Sequence, residues 1–186
     1  MEELIANLTE MTRVQTGRFR VNLEESDLAE LARQVARTIE PLLERRGQQL
    51  VLELPDQPVE VLADPSRMQR CLLNLLGNAQ KYGRQDGTIR LRLEQTDDAA
   101  RFVIANDGPP ASDVDRSRLL SSLGLTPADS PGDERKDGLG LLVACSIMEL
   151  HGGCIWVETP SDSGAVIHIA MPAMSASRLA TEPHSP

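Results

Sequence analysis

Aromatic side chains are nearly missing from this chain: one Trp, one Tyr and two Phe among 186 residues. Proteins that hold single-stranded nucleic acid stack successive bases on such rings, so that function has no platform here. The core must therefore be aliphatic. Cationic excess is also missing, because 19 Lys and Arg stand against 28 Asp and Glu for a formal charge of −9. An acidic surface of that kind argues against nucleic acid or an anionic membrane as the main partner. Cysteine is scarce and odd in number: Cys71, Cys145 and Cys154 lie in apolar segments and read as reduced core residues of a cytoplasmic protein. Their spacing from the histidines does not suggest a metal site. No stretch reaches the ~18 apolar residues of a membrane span, and the opening residues lack the pattern of a secretory signal. No internal repeat is apparent.

What is present begins with Asn74-Leu75-Leu76-Gly77-Asn78-Ala79-Gln80-Lys81-Tyr82. A helix turns about 100° per residue, so Asn74, Asn78 and Tyr82 share one side and Lys81 sits on its edge. Leu72, Leu73, Leu75 and Leu76 cover the other faces. A polar stripe like this makes a poor core face but a good wall for a polar ligand. Amide oxygen suits a hard Mg²⁺ ion shared with substrate phosphates, and Lys81 supplies a point charge for those phosphates.

Downstream, Asp137-Gly138-Leu139-Gly140-Leu141 opens an apolar run in which Leu141, Leu142, Cys145, Met148 and Leu150 mark a buried stripe, until Gly152-Gly153 stops the helix. The expected form is a glycine loop leading into a helix N-terminus, where free N–H groups and the dipole hold phosphate oxygens. Between the two segments, Arg101 to Pro110 read as a strand running into a turn, with Phe102 to Ile104 supplying β character and Asp107-Gly108-Pro109 ending the strand.

In order and spacing these three segments resemble the nucleotide-binding boxes of the sensor histidine kinase catalytic domain, a relative of the Bergerat-fold ATPases. Asn74 to Tyr82 match the N box, Asn106 to Pro110 the first glycine box and Asp137 to Leu141 the second. His151 to Glu158 resemble the closing helix end and strand, and Val166 to Pro172 the last strand. The lead Val61-Leu62-Ala63-Asp64-Pro65-Ser66-Arg67 also fits, with Asp64 as N-cap and Pro65 as first helical residue. The resemblance covers roughly Leu28 to Met171.

It implies an α+β fold, a two-layer α/β sandwich in which a mixed sheet packs against three helices beneath a long ATP lid. It implies ATP and Mg²⁺ as ligands. Asn78 would bind the metal, Asn74 would hold a water or assist at the metal, and Lys81 would contact phosphate; these are the catalytic candidates. Tyr82 would line the pocket, Asn106 would face the adenine amino group and Gly108 would allow close approach. Lys136, Gly138, Leu139, Gly140 and Leu141 would form the phosphate-binding turn. Hydrolytic relatives carry Glu where this chain has Asn74, and an amide cannot act as a general base. Slow ATP hydrolysis is expected, with a histidine imidazole as the nucleophile.

The chain departs from the family pattern in places. Asn106 stands where Asp is usual, Pro110 where a second Gly is usual, and Lys136 where Gly often opens the second box. The lid has no Phe, since Phe19 and Phe102 are the two in the chain; its arginines are Arg116, Arg118 and Arg135.

Along the chain, residues 1–20 resemble the end of the dimerisation and phosphotransfer hairpin with its joint, carrying Leu4, Leu8 and Met11 at helical spacing. Residues 21–173 form the ATP-binding domain, with the lid at about 111–136, and 174–186 a disordered tail. Ser26 or Asp27 caps a helix with Leu28, Leu31, Val35, Ile39 and Leu42 or Leu43 inward; Pro41 is an awkward resident and Gly47 ends it. Strands are expected at Gln49 to Leu54, Val59 to Leu62 and Thr88 to Leu93, with Asp86-Gly87 as a hairpin-type signal. His151 suits a helix C-terminus, His168 alternates in a strand and His184 lies in the tail, so each reads as structural or solvent-facing.

The expected partners are the histidine-bearing dimerisation domain and a response regulator receiver domain, with no nucleic acid, no membrane contact by this piece, and a homodimer in the full-length protein. A second reading is a degenerate pseudokinase that docks proteins and binds ATP weakly or not at all. A serine kinase of the anti-sigma type would lack the leading helix.

Overall fold

The computed structural model describes residues 21–109, 135–158, 160 and 164–174, with the backbone alone for 135–139. The expected hairpin end at 1–20, nearly all of the lid including Arg116 and Arg118, and the tail from residue 175 lie outside the described residues.

The described elements run β1 (Glu24–Asp27), α1 (Leu28–Glu44), β2 (Gln49–Glu53), β3 (Glu60–Ala63), α2 (Pro65–Tyr82), β4 (Thr88–Gln95), β5 (Ala99–Asn106), α3 (Arg135–Leu150), β6 (Cys154–Glu158) and β7 (Val166–Pro172). Five strands form one mixed sheet in the order β2-β4-β5-β7-β6, parallel at β2–β4 and antiparallel elsewhere. The three helices pack together and against that sheet, with α2 between α1 and α3 and against the central strand β5. This is the two-layer α/β sandwich expected from the sequence.

Period-2 alternation decides which strand residues enter the core. On β5, Ala100, Phe102, Ile104 and Asn106 point inward, and β4 and β7 answer with Ile89, Leu91, Leu93, Ile167, Ile169 and Met171. Each fully buried Leu or Ile contributes about 1.5–3 kcal/mol of transfer free energy. Leu28, Leu31, Val35, Ile39 and Leu43 form the inward stripe of α1, while Leu42 is exposed. The helix continues through Pro41 and ends at a Schellman turn: Gly47, at φ +66°, donates to Glu44 O and Gln48 to Leu43 O. A matching turn ends α3, where Gly152 at φ +67° donates to Glu149 O and Gly153 to Met148 O.

A separate two-stranded sheet pairs β1 with β3 and holds the starts of two helices. Asp27 caps α1 by accepting from Ala29 N and also takes Val59 N–H just before β3. Asp64 caps α2 by accepting from Arg67 N and takes Asn22 N–H just before β1. Each capping carboxylate thus anchors the partner strand as well as its own helix. Sequence reading placed no strand at Glu24–Asp27, because Glu-Glu-Ser-Asp has little β character; pairing with β3 creates it.

Other expectations need correction. Asp86-Gly87 makes no hairpin: the preceding element is a helix, and the turn feeds β4 into parallel pairing with β2, with Gln49 N donating to Gly87 O. Asp86 itself adopts φ +57°. On α3 the buried residues are Leu141, Val143, Ala144, Ile147 and Met148, whereas Leu142 and Cys145 are half-buried and Leu150 is exposed. Cys71 is a core residue, with burial pushing its thiol above the ordinary range, but Cys154 is exposed on edge strand β6, facing away from the helices.

Candidate functional site

Asp64 and Pro65 begin α2 as N-cap and first helical residue, which sets the rotational phase of everything that follows on it. Leu72, Leu75 and Leu76 are then buried, Asn74 and Asn78 are half-buried, and Lys81 and Tyr82 are exposed. The Lys81 ammonium lies 5.3 Å from the Tyr82 ring centroid, within cation–π range. The last carbonyls of α2 have no intrahelical donors, and two side chains from the α1–β2 connection supply them. Arg46 donates to Gln80 O and Lys81 O at 2.8 and 2.9 Å, and Gln48 to Gln80 O and Arg84 O at 3.0 and 2.7 Å. Sequence reasoning missed both, since no local signal links Arg46 to a carbonyl 34 residues away.

The two glycine segments meet α2 at different heights. Near its middle, Gly140 faces Asn74, whose Nδ2 donates to Gly140 O at 3.2 Å. At its end, a Cβ on Gly108 would lie 2.5 Å from Tyr82 O, so only glycine lets the loop after β5 reach the helix backbone. All three predicted segments therefore converge along one helix.

Lys136, Gly138 and Leu139 lie in the opening turns of α3, where the backbone is described. Gly138 and Gly140 do not form a loop ahead of the helix; α3 starts at Arg135 and includes them. Helical bonds satisfy their backbone groups, and that outweighs the glycine penalty of about 1 kcal/mol per residue. Leu141 is a core residue.

Asn106, the last residue of β5, has only 8 % of its surface exposed, and its Nδ2 has no hydrogen-bond partner. Three glycines frame its amide: a Cβ at Gly108 would come within 2.8 Å of Nδ2, at Gly83 within 3.6 Å of Nδ2, and at Gly164 within 2.9 Å of Oδ1. A buried, unpartnered donor beside three glycines fits a planar polar ligand. The adjacent Asp107 is engaged elsewhere, because its Oδ2 accepts from Thr88 N at 2.8 Å and ties the loop to the start of β4. Among the described residues no group of three or more His, Cys, Asp or Glu is placed to hold a metal ion.

His151 lies at the end of α3 in a structural role, as expected, and acts there as a buried acceptor. Asp64 N donates to His151 Nε2 at 2.9 Å, while Nδ1 is 2.7 Å from Ile147 O, so Nδ1 carries the proton. The imidazole bridges the start of α2 to the end of α3. Replacing it with Ala leaves the Asp64 N–H unpaired and should cost about 1–3 kcal/mol, read as a lower urea midpoint.

Asp64 adds a pH dependence. Burial works to raise its carboxyl, but the N–H groups of Asn22 and Arg67 and the Ser66 hydroxyl outweigh that and hold it below its ordinary 3.8. Its stabilisation is full above the unfolded value and is lost as pH falls through the lowered one. Asp64→Ala should therefore cost about 0.5–2 kcal/mol at neutral pH, with the gap from wild type narrowing under strong acid. Parallel urea titrations at the two pH values check this.

The family of histidine kinase-, DNA gyrase B- and HSP90-like ATPases matches residues 63–175, which include α2, the loop after β5 and all of α3. The chain belongs to this ATPase family. The adaptive-response sensory kinase SasA of Synechococcus elongatus is 31 % identical over 173 residues, 92 % of this chain and 44 % of that protein. The circadian input-output histidine kinase CikA of the same organism is 28 % identical over 91 % of this chain and 23 % of its own length. The chain thus spans less than half the length of these relatives. Among solved structures, the catalytic domain of histidine kinase ThkA superimposes with a TM-score of 0.70 at 25 % identity, covering 82 % of this chain and 97 % of that one. The Acinetobacter baumannii histidine kinase AdeS shares the fold with a TM-score of 0.73 at 22 % identity, over 93 % of this chain and 78 % of that one.

Proposed function

We propose that this domain is the ATP-binding catalytic domain of a two-component sensor histidine kinase, delivering the γ-phosphoryl group of Mg-ATP to a histidine on a dimerisation hairpin. The observation that carries the proposal is the buried, unpartnered amide of Asn106, cradled by glycines at the end of the helix that bears Asn74 and Asn78. In this reading Asn106 and Gly108 receive the purine, with Tyr82 beside them. Asn78 is the protein ligand of Mg²⁺, which when bound neutralises phosphate charge. Asn74 donates through Nδ2 to Gly140 O, which turns the other end of its amide into an acceptor for a water of the metal shell. Lys81 and Lys136 hold phosphate, and the N-terminal turn of α3, ahead of Gly138 and Leu139, adds the positive end of a dipole. Positioning and charge neutralisation carry phosphoryl transfer, so the domain needs no general base of its own if the nucleophile is an imidazole.

ATP as substrate puts the domain on the cytoplasmic side, and no helix among the described residues is long and apolar enough to cross a membrane. A receiver domain is the downstream partner in this proposal, and the full-length protein works as a homodimer. A histidine kinase structure related in fold was solved with a response regulator bound, which supports the pairing for that protein.

Titration calorimetry with a non-hydrolysable ATP analogue should give Mg²⁺-dependent heat with a dissociation constant in the micromolar to low millimolar range, about −8 to −4 kcal/mol. Absence of heat at millimolar ligand would favour the second reading, a docking module without nucleotide. The helical placement of Gly138 and Gly140 is the observation on that side.

A further inference from the structure

The amide of Asn106 has donor capacity that a carboxylate in its place would lack. A carboxylate only accepts; a primary amide presents an oxygen acceptor and two N–H donors side by side. Here the donor end is the orphan: Nδ2 is buried without a partner, at a residue more than nine-tenths buried. The carboxylate next along the chain is no substitute acceptor for a base, since Asp107 is bonded to Thr88 N. Three glycines, Gly83, Gly108 and Gly164, let backbone approach the amide, and the buried Gln48 side chain lies on the Gly83 side.

A 6-aminopurine offers a donor at its exocyclic nitrogen and an acceptor at N1, and a 6-oxopurine offers the reverse, an acceptor at O6 and a donor at N1. An amide pairs with either edge through two hydrogen bonds, exchanging the roles of Oδ1 and Nδ2 by rotation about its last torsion. A carboxylate at this position would meet O6 with a repulsive lone pair, leaving a buried acceptor unmatched. Resting on the reading that the purine lies against Asn106, we infer that this residue makes the site tolerant of the 6-substituent, so that 6-oxopurine nucleoside triphosphates bind where ATP does. Asn106 is then the specificity-determining residue of the pocket, and inosine triphosphate, which lacks the extra 2-amino group of guanine, is the ligand that isolates the effect.

The test is calorimetry on the full chain with Mg²⁺ and ATP or inosine triphosphate in turn, for the wild type, Asn106→Asp and Asn106→Ala. The wild type should bind the two nucleotides within about tenfold of each other. Asn106→Asp should weaken inosine triphosphate by about ten- to a hundredfold relative to ATP, and Asn106→Ala should weaken both together. Wild-type binding of ATP with inosine triphosphate more than about a hundredfold weaker would overturn the inference and leave the ATP-binding proposal standing. Unaltered affinity of Asn106→Ala for both would also overturn it, since the amide would not touch the base. No binding of either nucleotide by a chain with native circular dichroism sinks the inference and the proposed function together. Should the buried carboxylate of Asn106→Asp prevent folding, the wild-type ratio and the Ala variant decide between these outcomes.

Discussion

Asn78→Ala should lower the affinity for a Mg-nucleotide by about a hundredfold or more while leaving the fold intact. Loss of a residue that merely orients a metal ligand typically costs about ten- to a hundredfold, and removal of the ligand itself costs at least as much. Asn78 sits half-buried on the polar stripe of α2, away from the Leu72, Leu75 and Leu76 face, so truncation opens no cavity in the core. Alanine is also the better helix former by up to about 0.7 kcal/mol. Calorimetry with and without Mg²⁺ reads the loss, and a urea midpoint equal to that of the wild type shows that it belongs to the site. Retained Mg²⁺-dependent binding in the variant would remove Asn78 from its proposed role.

Phe102→Ala should produce the opposite pattern, a large loss of stability with little change in the site. Phe102 lies at the centre of β5, 1 % exposed, paired with Leu93 on one side and Ile169 on the other. Truncating a buried Phe costs about 3–5 kcal/mol through lost transfer energy and the cavity left behind. Against a total of about 5–15 kcal/mol, that is a large share of the stability. With aromatics so scarce, no neighbouring ring can fill the gap. Urea unfolding should show the midpoint falling steeply, while nucleotide affinity per folded molecule stays within about threefold, because the strand end that carries Asn106 is still clamped through Asp107 and Thr88. A proportionate loss of affinity under fully native conditions would mean that packing at Phe102 positions Asn106 directly.

Much of the scaffold was legible in the sequence because local physics determines it. Asp64-Pro65 announces the start of α2, Leu28 to Leu43 repeat at helical spacing, and Gly152-Gly153 ends α3 as foreseen. The structure adds that β5 extends to Asn106 and turns it to the side of Phe102 and Ile104, a burial not foreseen from the sequence. Burial of Cys71 follows from its place among the apolar residues of α2. The same reasoning failed at Cys154, where β6 is an edge strand whose exposure depends on the order of strands in the sheet.

By itself, then, the sequence determined the starts and caps of α1 and α2, the glycine turns that end α1 and α3, and the strand periodicities. Those features depend on backbone bonds and side-chain directions within a few residues of each other. Tertiary structure alone decided that β1 exists, that β2 joins β4 in parallel, that Arg46 and Gln48 finish α2, that Gly138 and Gly140 enter α3, and that His151 is an acceptor for Asp64. Most of these rest on a partner distant in the chain, such as the 87 residues between Asp64 and His151, and no local pattern encodes which distant group will meet a buried donor or acceptor.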